Sequence, residues 1–239
     1  MRHPLVDVAV VNEVLVESEY ALPGGVMDRL AALGRPPRVL DLGGNIGLFA
    51  LRMFELFPRA EVTSYEPDPV NLQALERCAA ANRMLAWRIV PAAAGTTDGD
   101  AEFISDFALG QLSSVAAEFG GHTGYEQWLP PERSYARGGA TTVRVRDVLP
   151  DMLDTDLLKT DIEGAEWDIL EDPRFAQTNA LALVLEAHPH PGESAAFVEE
   201  RLRAVFERAR FERVRAWEGR GGAEIVWAAR DANSGQATR

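Results

Sequence analysis

Cysteine is nearly absent from this chain of 239 residues, in which Cys78 is the only one. A single thiol excludes an intrachain disulfide framework and any zinc site built from several cysteines. Long hydrophobic runs are also missing, because no stretch approaches the roughly 18 apolar residues of a membrane-spanning helix. Asp7, Asn12 and Glu13 interrupt any apolar segment of a secretion signal. We therefore expect a cytoplasmic protein that has no membrane as a partner.

Positive charge is scarce, since 24 basic residues stand against 37 acidic ones and give a formal net charge of −13. A surface that follows a phosphate backbone needs clustered positive charge, so we predict no nucleic-acid partner. Lysine is rarer still, because Lys159 is the single lysine among the 24 basic residues. The hydrophobic fraction of 46% is that of an ordinary globular protein with a sizeable core.

Strand-like and helix-like segments alternate along most of the chain, which predicts an α/β fold. Parallel strands need right-handed crossovers, so the expected architecture is a doubly wound, mostly parallel, seven-stranded sheet with helices on both faces. The last two strands resemble a hairpin and add an antiparallel strand. The predicted strands are 38–42, 61–65, 87–90, 157–161, 181–187, 213–217 and 224–229.

The domain organisation follows from where this alternation begins, breaks and ends. Residues 35–230 are predicted to form one domain, and residues 1–34 an N-terminal arm with a short helix over 26–33. The valine-rich segment 5–16 favours a strand or a hairpin arm. Residues 96–147 interrupt the alternation and are predicted to form a small inserted cap. The polar residues 231–239 are expected to form a frayed tail.

The turn after the first strand is rich in glycine and precedes a predicted helix. Ligands of doubly wound sheets bind beyond the carboxyl ends of the strands, where a glycine turn lets the backbone approach closely. A dinucleotide fingerprint would read G-x-G-x-x-G, whereas Asp41-x-Gly43-x-Asn45-x-Gly47 is closer to the turn of S-adenosylmethionine (SAM) enzymes. Glu66 follows the second strand and can accept both ribose hydroxyls of SAM or of NAD. Both cofactors remain open at this point, as does an ordinary strand–helix turn.

Three carboxylates lie at the carboxyl end of the strand at 157–161 or just after it. Asp161 and Glu163 are two residues apart, so in an extended segment they point the same way, and Glu166 lies at the start of a helix. Such carboxylates are costly to bury unless they contact a cationic or polar group. The sulfonium of SAM, a metal ion and an acceptor hydroxyl are the candidates.

A glutamate and a histidine follow the next core strand, at the same edge of the predicted sheet. His188 is a candidate general base and Glu186 its neighbour, although a structural histidine at a strand end is the alternative. Together with Asp161 and Glu163 they could hold Mg²⁺ or Mn²⁺. Acidic residues are common in a chain of charge −13, so Mg²⁺ is possible but not favoured, and we assign no metal ligand.

Four segments of the chain resemble the FkbM-type SAM-dependent methyltransferases. They are VLDLGGNIGLFAL (39–51), YEPDPVNLQAL (65–75), LLKTDIEGAEWDIL (157–170) and VLEAHP (184–189), and the similarity extends over residues 38–230. The resemblance implies a class I methyltransferase sheet, SAM as the cofactor and a hydroxyl of a sugar or secondary metabolite as the small-molecule acceptor. Gly44 and Thr160 depart from the usual alanine and aliphatic residue of the family, without affecting the expected cofactor site.

These observations assign an expected role to each candidate residue. The methionine end of SAM is expected near Asp41, Gly43, Asn45 and Gly47, and its ribose at Glu66. The sulfonium or the acceptor is expected near Asp161, and acceptor binding and the base among Glu163, Glu186 and His188. Two other functions remain open. The first is an NAD or nucleotide-sugar enzyme, which would use the same glycine turn and the same acidic residue, Glu66. The second is a binding module that has the fold but catalyses no reaction.

Overall fold

The computed structural model describes residues 8, 10–16, 20–104, 114–115, 140–190, 192–218 and 224–230. Its strands are β1 (Arg38–Leu42), β2 (Glu61–Tyr65), β3 (Ala86–Val90), β4 (Ala93–Gly95), β5 (Gly99–Ile104), β6 (Ser114–Val115), β7 (Ala140–Asp147), β8 (Leu157–Thr160), β9 (Ala182–Ala187), β10 (Phe211–Glu218) and β11 (Glu224–Arg230). Its α-helices are α1 (Gly24–Ala31), α2 (Leu48–Leu56), α3 (Pro69–Ala81), α4 (Leu149–Met152), α5 (Glu166–Glu171) and α6 (Ala195–Ala209). A π-helical turn covers Asn12–Val16 and a 3₁₀ turn covers Pro173–Gln177. No helix within the described ranges is both long and apolar enough to cross a membrane.

The main sheet has seven strands in the order β10-β11-β9-β8-β1-β2-β3. The strands from β9 to β3 are parallel, whereas β11 is antiparallel to both of its neighbours. The predicted doubly wound, mostly parallel sheet is therefore confirmed. Neighbouring parallel strands end at the same edge, so the loops that begin at His188, Asp161, Gly43 and Glu66 follow four adjacent strands.

Both faces of the sheet are buried, as a doubly wound fold requires. Successive residues of β9 belong to different apolar clusters, with Leu183 and Leu185 in one cluster and Ala182 and Val184 in the other. All four side chains are almost completely buried. Burying one such Val or Leu contributes about 1.5–3 kcal/mol, so the two clusters fix the sheet beneath its carboxyl edge.

A second, four-stranded sheet has the order β4-β7-β5-β6, and three of its strands lie within the predicted insertion, whereas β4 precedes it. Phe103 of β5 is buried and packs with Ala93 and Val143. Residues 105–113 and 116–139 of the predicted cap lie outside the described residues, as does the predicted tail 231–239, so both remain predictions.

The described residues 10–16 of the N-terminal arm are helical, so the strand or hairpin predicted over 5–16 is wrong there. The structure describes residues 8 and 10–16 of this segment, and residues 10–16 form helical turns. Val10 and Val14 are both buried, in the same apolar cluster as Phe49 of α2. A spacing of four residues places them on one face of a helix, and this tertiary contact outweighs the strand preference of valine.

The turn after β1 needs glycine because the protein packs tightly around it. Gly43 has a φ of 82°, and a Cβ atom there would lie 1.8 Å from the carbonyl oxygen of Asp161. Gly47 has a φ of 90°, and a Cβ atom there would lie 2.6 Å from the Trp87 ring. Contacts within the protein thus explain both glycines.

We expect Gly43→Ala to destabilise the fold much more than Gly34→Ala. Both positions have positive φ, but a Cβ atom at Gly34 would meet nothing within 4 Å. In Gly34→Ala, the strain of an alanine in the left-handed region should lower the free energy of unfolding by only about 1–2 kcal/mol. In Gly43→Ala, the free energy of unfolding should fall by about 1–3 kcal/mol more, because the end of the strand must also move. Urea unfolding of the two variants measures the difference, and equal losses would contradict the packing account.

Candidate active site

The buried ammonium group of Lys159 joins the ends of β1 and β8. Its Nζ donates to the carbonyl oxygens of Leu42, at 3.2 Å, and Gly43, at 2.6 Å. It also lies 3.6 Å from Asp41 Oδ1 and 3.3 Å from Asp161 Oδ2. Burial alone would lower the pKa of Lys159, but Asp161 and Asp41 raise it above its usual value, so the amine stays charged. The lone lysine therefore fixes the position of Asp161 relative to the glycine turn.

Asp41 and Gly47 lie against other protein groups behind this turn. The fully buried Asp41 accepts a hydrogen bond from Ser64 Oγ at 2.8 Å, and Ser64 accepts one from Trp87 Nε1 at 3.0 Å. Burial raises the pKa of Asp41, while Lys159 and Ser64 oppose that rise. The contacts of Asp41 shape the turn from behind, as do those of Gly47 with Trp87.

Glu66 lies against the glycine turn with its carboxylate almost completely buried. Its Oε2 accepts a hydrogen bond from the Asn45 backbone N–H at 2.7 Å, and its Oε1 accepts one from the Asp68 N–H at 2.8 Å. Asn71 Nδ2 also donates to Oε1, at 3.4 Å. Burial raises the pKa of Glu66 to about 8. A carboxylate oxygen can accept two hydrogen bonds, and Oε2 accepts one from the described residues, so the group retains capacity for a ligand at that oxygen.

A cavity of about 560 Å³, including the open space at its mouth, lies along the carboxyl ends of β2, β1 and β8. Its lining combines polar groups with apolar side chains, as is typical of small-molecule sites. Five of the residues that the sequence singled out line it, namely Gly43, Asn45, Glu66, Asp161 and Glu163. The rest of the lining is Tyr65, Pro67, Asn71, Ala93, Ala94, Phe103, Ile162 and Ala165.

The loop after β8 holds Glu163 in an uncommon backbone conformation. Glu163 has a φ of 56° and Gly164 a φ of 102°. A non-glycine residue in the left-handed region is strained, and the fold must hold it there. Glu166 contributes to this, because its Oε2 accepts a hydrogen bond from the Gly164 N–H at 2.8 Å. Burial raises the pKa of Glu163 well above its usual value, and neighbouring carboxylates raise it further although His188 lowers it.

His188 follows β9 and is fixed by the fully buried Glu166. Glu166 Oε1 lies 2.9 Å from the ring Nδ1 and accepts the His188 backbone N–H at 2.7 Å. The other ring nitrogen, Nε2, lies 3.5 Å from Glu163 Oε2 and 3.7 Å from Glu186 Oε1. Burial alone would lower the pKa of His188, but Glu166, Glu163 and Glu186 raise it well above its usual value. The three surrounding carboxylates therefore favour the protonated imidazole.

Tyr20 connects the loop after β8 to the end of β9, although nothing in the sequence indicates it. Its buried hydroxyl lies 3.2 Å from Asp161 Oδ2 and 2.9 Å from Glu186 Oε2. Burial and both carboxylates raise the pKa of Tyr20 well above its usual value, so the hydroxyl keeps its proton and donates it. Burial and the charge of Asp161 raise the pKa of Glu186 to about 7, against the opposing effects of His188 and Tyr20.

Three of these side chains are close enough together to be considered as ligands of a metal ion. One ligand atom each from Asp161, Glu186 and His188 lies within 4.8 Å of the others, a spacing that a divalent ion could bridge. Protein donors already engage the two carboxylates, because Lys159 lies beside Asp161 and the Tyr20 hydroxyl bridges both. Their charge is thus partly compensated within the chain, and we assign no metal to them.

Residues 41–217 match the family defined as the methyltransferase FkbM domain. The chain belongs to this FkbM methyltransferase family. The match covers most of the sheet and every residue of the site described above except Tyr20. The predicted family is therefore confirmed.

Curated relatives of this FkbM chain also carry methyltransferase names. It is 29% identical over 170 residues to methyltransferase sdnD of Sordaria araneosa, covering 59% of this chain and 62% of that protein. It is 23% identical over 150 residues to methyltransferase 1 of Beauveria bassiana (strain ARSEF 2860), covering 55% of this chain and 56% of that protein. The chain thus spans about three-fifths of the length of these relatives.

A solved structure shares the fold of this FkbM domain. The methyltransferase FkbM of Methylobacillus flagellatus KT aligns over 81% of this chain and 43% of that chain, with a TM-score of 0.52. The sequences are 14% identical, so the similarity concerns the fold alone.

The structure brings together residues that the FkbM sequence blocks place far apart. Asp161 and Glu163 come from the β8 loop, and Glu186 and His188 from β9 and the residue after it, as strand adjacency predicts. The sequence does not predict that Glu166 is the partner of His188, although Glu166 lies in the segment 157–170 that resembles the family. Its complete burial beside a polar loop is what distinguishes it from the other acids of that block.

Glu166→Gln should lower the pKa of His188 toward its ordinary value of about 6.5. Burial lowers the pKa of His188, and the charge of Glu166 is the largest influence that raises it. The variant removes that charge. Heteronuclear NMR of the histidine rings across a pH series measures the titration midpoint.

The matched control is Glu171→Gln, which removes a carboxylate from the far end of the same helix, where Glu171 pairs with Arg201 at 2.7 Å. An unchanged midpoint in Glu166→Gln, or an equal shift in Glu171→Gln, would contradict the assigned role of Glu166.

Proposed function

We propose that this FkbM chain uses SAM to methylate a hydroxyl oxygen of a small molecule, such as a sugar or a secondary metabolite. The observation that carries the proposal is a single cavity lined by the buried Glu66 at one strand end and by Asp161 and Glu163 at another. A nucleoside needs an acceptor for its ribose hydroxyls, and a sulfonium needs negative charge nearby. Both requirements are met along one edge of the sheet.

The residues of the cavity fit SAM in their chemistry. Glu66 keeps free acceptor capacity for the ribose, and the apolar side chains Ala93, Ala94 and Phe103 can contact the adenine. Asp161 and Glu163 supply the negative charge for the methionine end. When bound, SAM supplies a methyl group on a positively charged sulfur.

The acceptor hydroxyl must lose its proton, and His188 is the group that we assign to take it. Its Nε2 faces Glu163 and Glu186, while Nδ1 is held by Glu166. General base catalysis contributes roughly 10²–10⁴-fold when the base is positioned in this way. Glu163 and Glu186 then stabilise the imidazolium and can accept hydrogen bonds from the acceptor.

The proposed reaction is tested with [methyl-¹³C]SAM and a panel of sugars, polyols and amines. Transfer to a hydroxyl gives an O-methyl carbon, whose ¹³C chemical shift is distinct from that of an N-methyl carbon. Exclusive N-methylation would contradict the proposed acceptor class. Binding of NAD instead of SAM in calorimetry would favour the NAD enzyme that shares the turn and Glu66. SAM binding without turnover of any compound would favour the binding module.

We expect SAM binding to strengthen as the pH rises toward about 8. Burial raises the pKa of Glu66 to about 8, whereas hydrogen bonds from ribose hydroxyls favour the ionised form, so binding below that pH should release a proton. Calorimetry in buffers of different ionisation enthalpy measures this proton release.

Glu66→Gln should abolish this pH dependence and weaken binding by about 1–3 kcal/mol. The matched control is Glu76→Gln on the exposed face of α3, which should bind SAM as the wild type does. If Glu66→Gln binds with the wild-type affinity and pH dependence, Glu66 does not contact the ribose.

His188→Ala should reduce the rate of methyl transfer roughly 10²–10⁴-fold and leave SAM affinity near that of the wild type. It should also remove the ascending limb of the pH–rate profile. That limb should lie above pH 6.5 in the wild type, because the surrounding carboxylates raise the pKa of His188. Steady-state kinetics across a pH series measures both effects.

The control is His190→Ala, two residues further along the loop, which should keep most of the rate. If His188→Ala retains the ascending limb and most of the rate, the base is one of the carboxylates, and His188 has only a structural role.

Treatment with a chelator should leave most of the activity intact, because Lys159 and Tyr20 already engage the carboxylates that could bind a metal. The measurement compares the rate before and after dialysis against EDTA. A loss of rate that Mg²⁺ restores would instead assign the cluster of Asp161, Glu186 and His188 to a metal.

A further inference from the structure

The N-terminal arm is built into the core of the domain. Val10 and Val14 are buried in an apolar cluster with Phe49 of α2. The Tyr20 ring packs edge-on against Phe49, with centroids 5.8 Å apart and an interplanar angle of 70°. Tyr20 precedes the segment 41–217 that matches the FkbM domain. The arm thus brings a side chain from outside that segment to a fixed place beneath the site.

The hydroxyl of Tyr20 lies between two carboxylates, one from the loop after β8 and one from the end of β9. It is 3.2 Å from Asp161 Oδ2 and 2.9 Å from Glu186 Oε2. Asp161 lines the cavity, whereas Tyr20 is buried behind it. One phenolic proton serves two acceptors, so the hydroxyl couples the position of one carboxylate to that of the other.

Contacts on either side extend this bridge into a polar network. Lys159 Nζ lies 3.3 Å from the same Asp161 oxygen that contacts Tyr20. On the other side, Glu186 Oε1 lies 3.7 Å from His188 Nε2. Two carboxylates so close would repel each other, and the hydroxyl and the two flanking cations offset that repulsion.

We propose that Tyr20 is a positioning residue, whose hydroxyl holds Asp161 and Glu186 together beside the cavity. The N-terminal arm thereby completes a site to which the segment matching the FkbM domain contributes every other member of the cluster. The role of these carboxylates toward an acceptor rests on the proposed function, but the bridge itself rests on geometry.

The bridge has an electrostatic consequence that can be measured without any substrate. A hydrogen bond donated to Glu186 favours its ionised form and so lowers its pKa. Asp161 raises the pKa of Glu186, whereas His188 and Lys159 lower it. The neighbouring carboxyl of Glu163 also interacts electrostatically with Glu186. Removing the hydroxyl while leaving these four groups in place should therefore raise the pKa of Glu186 above about 7.

The test is ¹³C NMR of the glutamate carboxyl groups in the full chain without SAM, with Glu186→Gln identifying the Glu186 signal. In Tyr20→Phe, the titration midpoint of Glu186 should rise by about one pH unit, the usual effect of losing one hydrogen bond to a charged group. An unchanged midpoint would overturn the proposal.

Two further variants separate the hydroxyl from the packing of the ring. Phe49→Leu removes the aromatic contact of Tyr20 and keeps the hydroxyl, so the midpoint should stay at its wild-type value. Incorporation of 3-fluorotyrosine at position 20 preserves the fold and makes the hydroxyl a stronger donor, so the midpoint should fall. A shift in Phe49→Leu as large as that in Tyr20→Phe would overturn the proposal, as would no shift with fluorotyrosine.

Kinetics then connects the bridge to catalysis, using an acceptor that the panel of sugars and polyols identifies. Tyr20→Phe should lower kcat and leave the Kd for SAM unchanged. In a protein that already carries Glu186→Gln, Tyr20→Phe should cause no further decrease in kcat. Additive effects would overturn the positioning role. If the wild type transfers no methyl group to any acceptor, the proposed function fails, while the NMR titration still decides whether Tyr20 bridges the carboxylates.

Discussion

The constraint on which the site depends is the burial of one ammonium group, that of Lys159, between the ends of two parallel strands. A buried charge must be compensated, and Lys159 is compensated by two backbone carbonyls of the β1 end and by the carboxylates of Asp41 and Asp161. These contacts draw the glycine turn against the β8 loop so closely that Gly43 has no room for a side chain. The two loops that line the cavity are thereby fixed to each other.

The cavity joins two regions with different electrostatic character. Near β2, the buried carboxylate of Glu66 accepts hydrogen bonds from backbone N–H groups, and its pKa is raised mainly by burial. Near β8 and β9, Asp161, Glu163 and Glu186 meet two cations, and like charges add to the effect of burial. The first region suits neutral hydroxyl donors. The second suits a positive group and a proton in transit, which is the division of chemistry that the proposed methyl transfer to oxygen requires.

The fold and much of the site could be predicted from the sequence because both depend on short, contiguous patterns. Buried strands that alternate with helices specify the sheet, and strand adjacency brings Asp161 and His188 to one edge. Tyr20 could not be predicted, since it lies 141 residues from Asp161 and no motif marks it. The strand predicted over 5–16 is wrong at its described residues for a related reason: the burial of Val10 and Val14 against α2 is a tertiary contact that local propensity does not contain.

The most direct test of this account is a crystal structure of the protein with S-adenosylhomocysteine, the product that SAM leaves after methyl transfer. The account predicts that the ribose hydroxyls lie within hydrogen-bonding distance of Glu66 and that the sulfur lies on the side of Asp161 and Glu163. An adenosine group whose ribose lies away from Glu66, or a sulfur directed away from the carboxylates of β8 and β9, would contradict it.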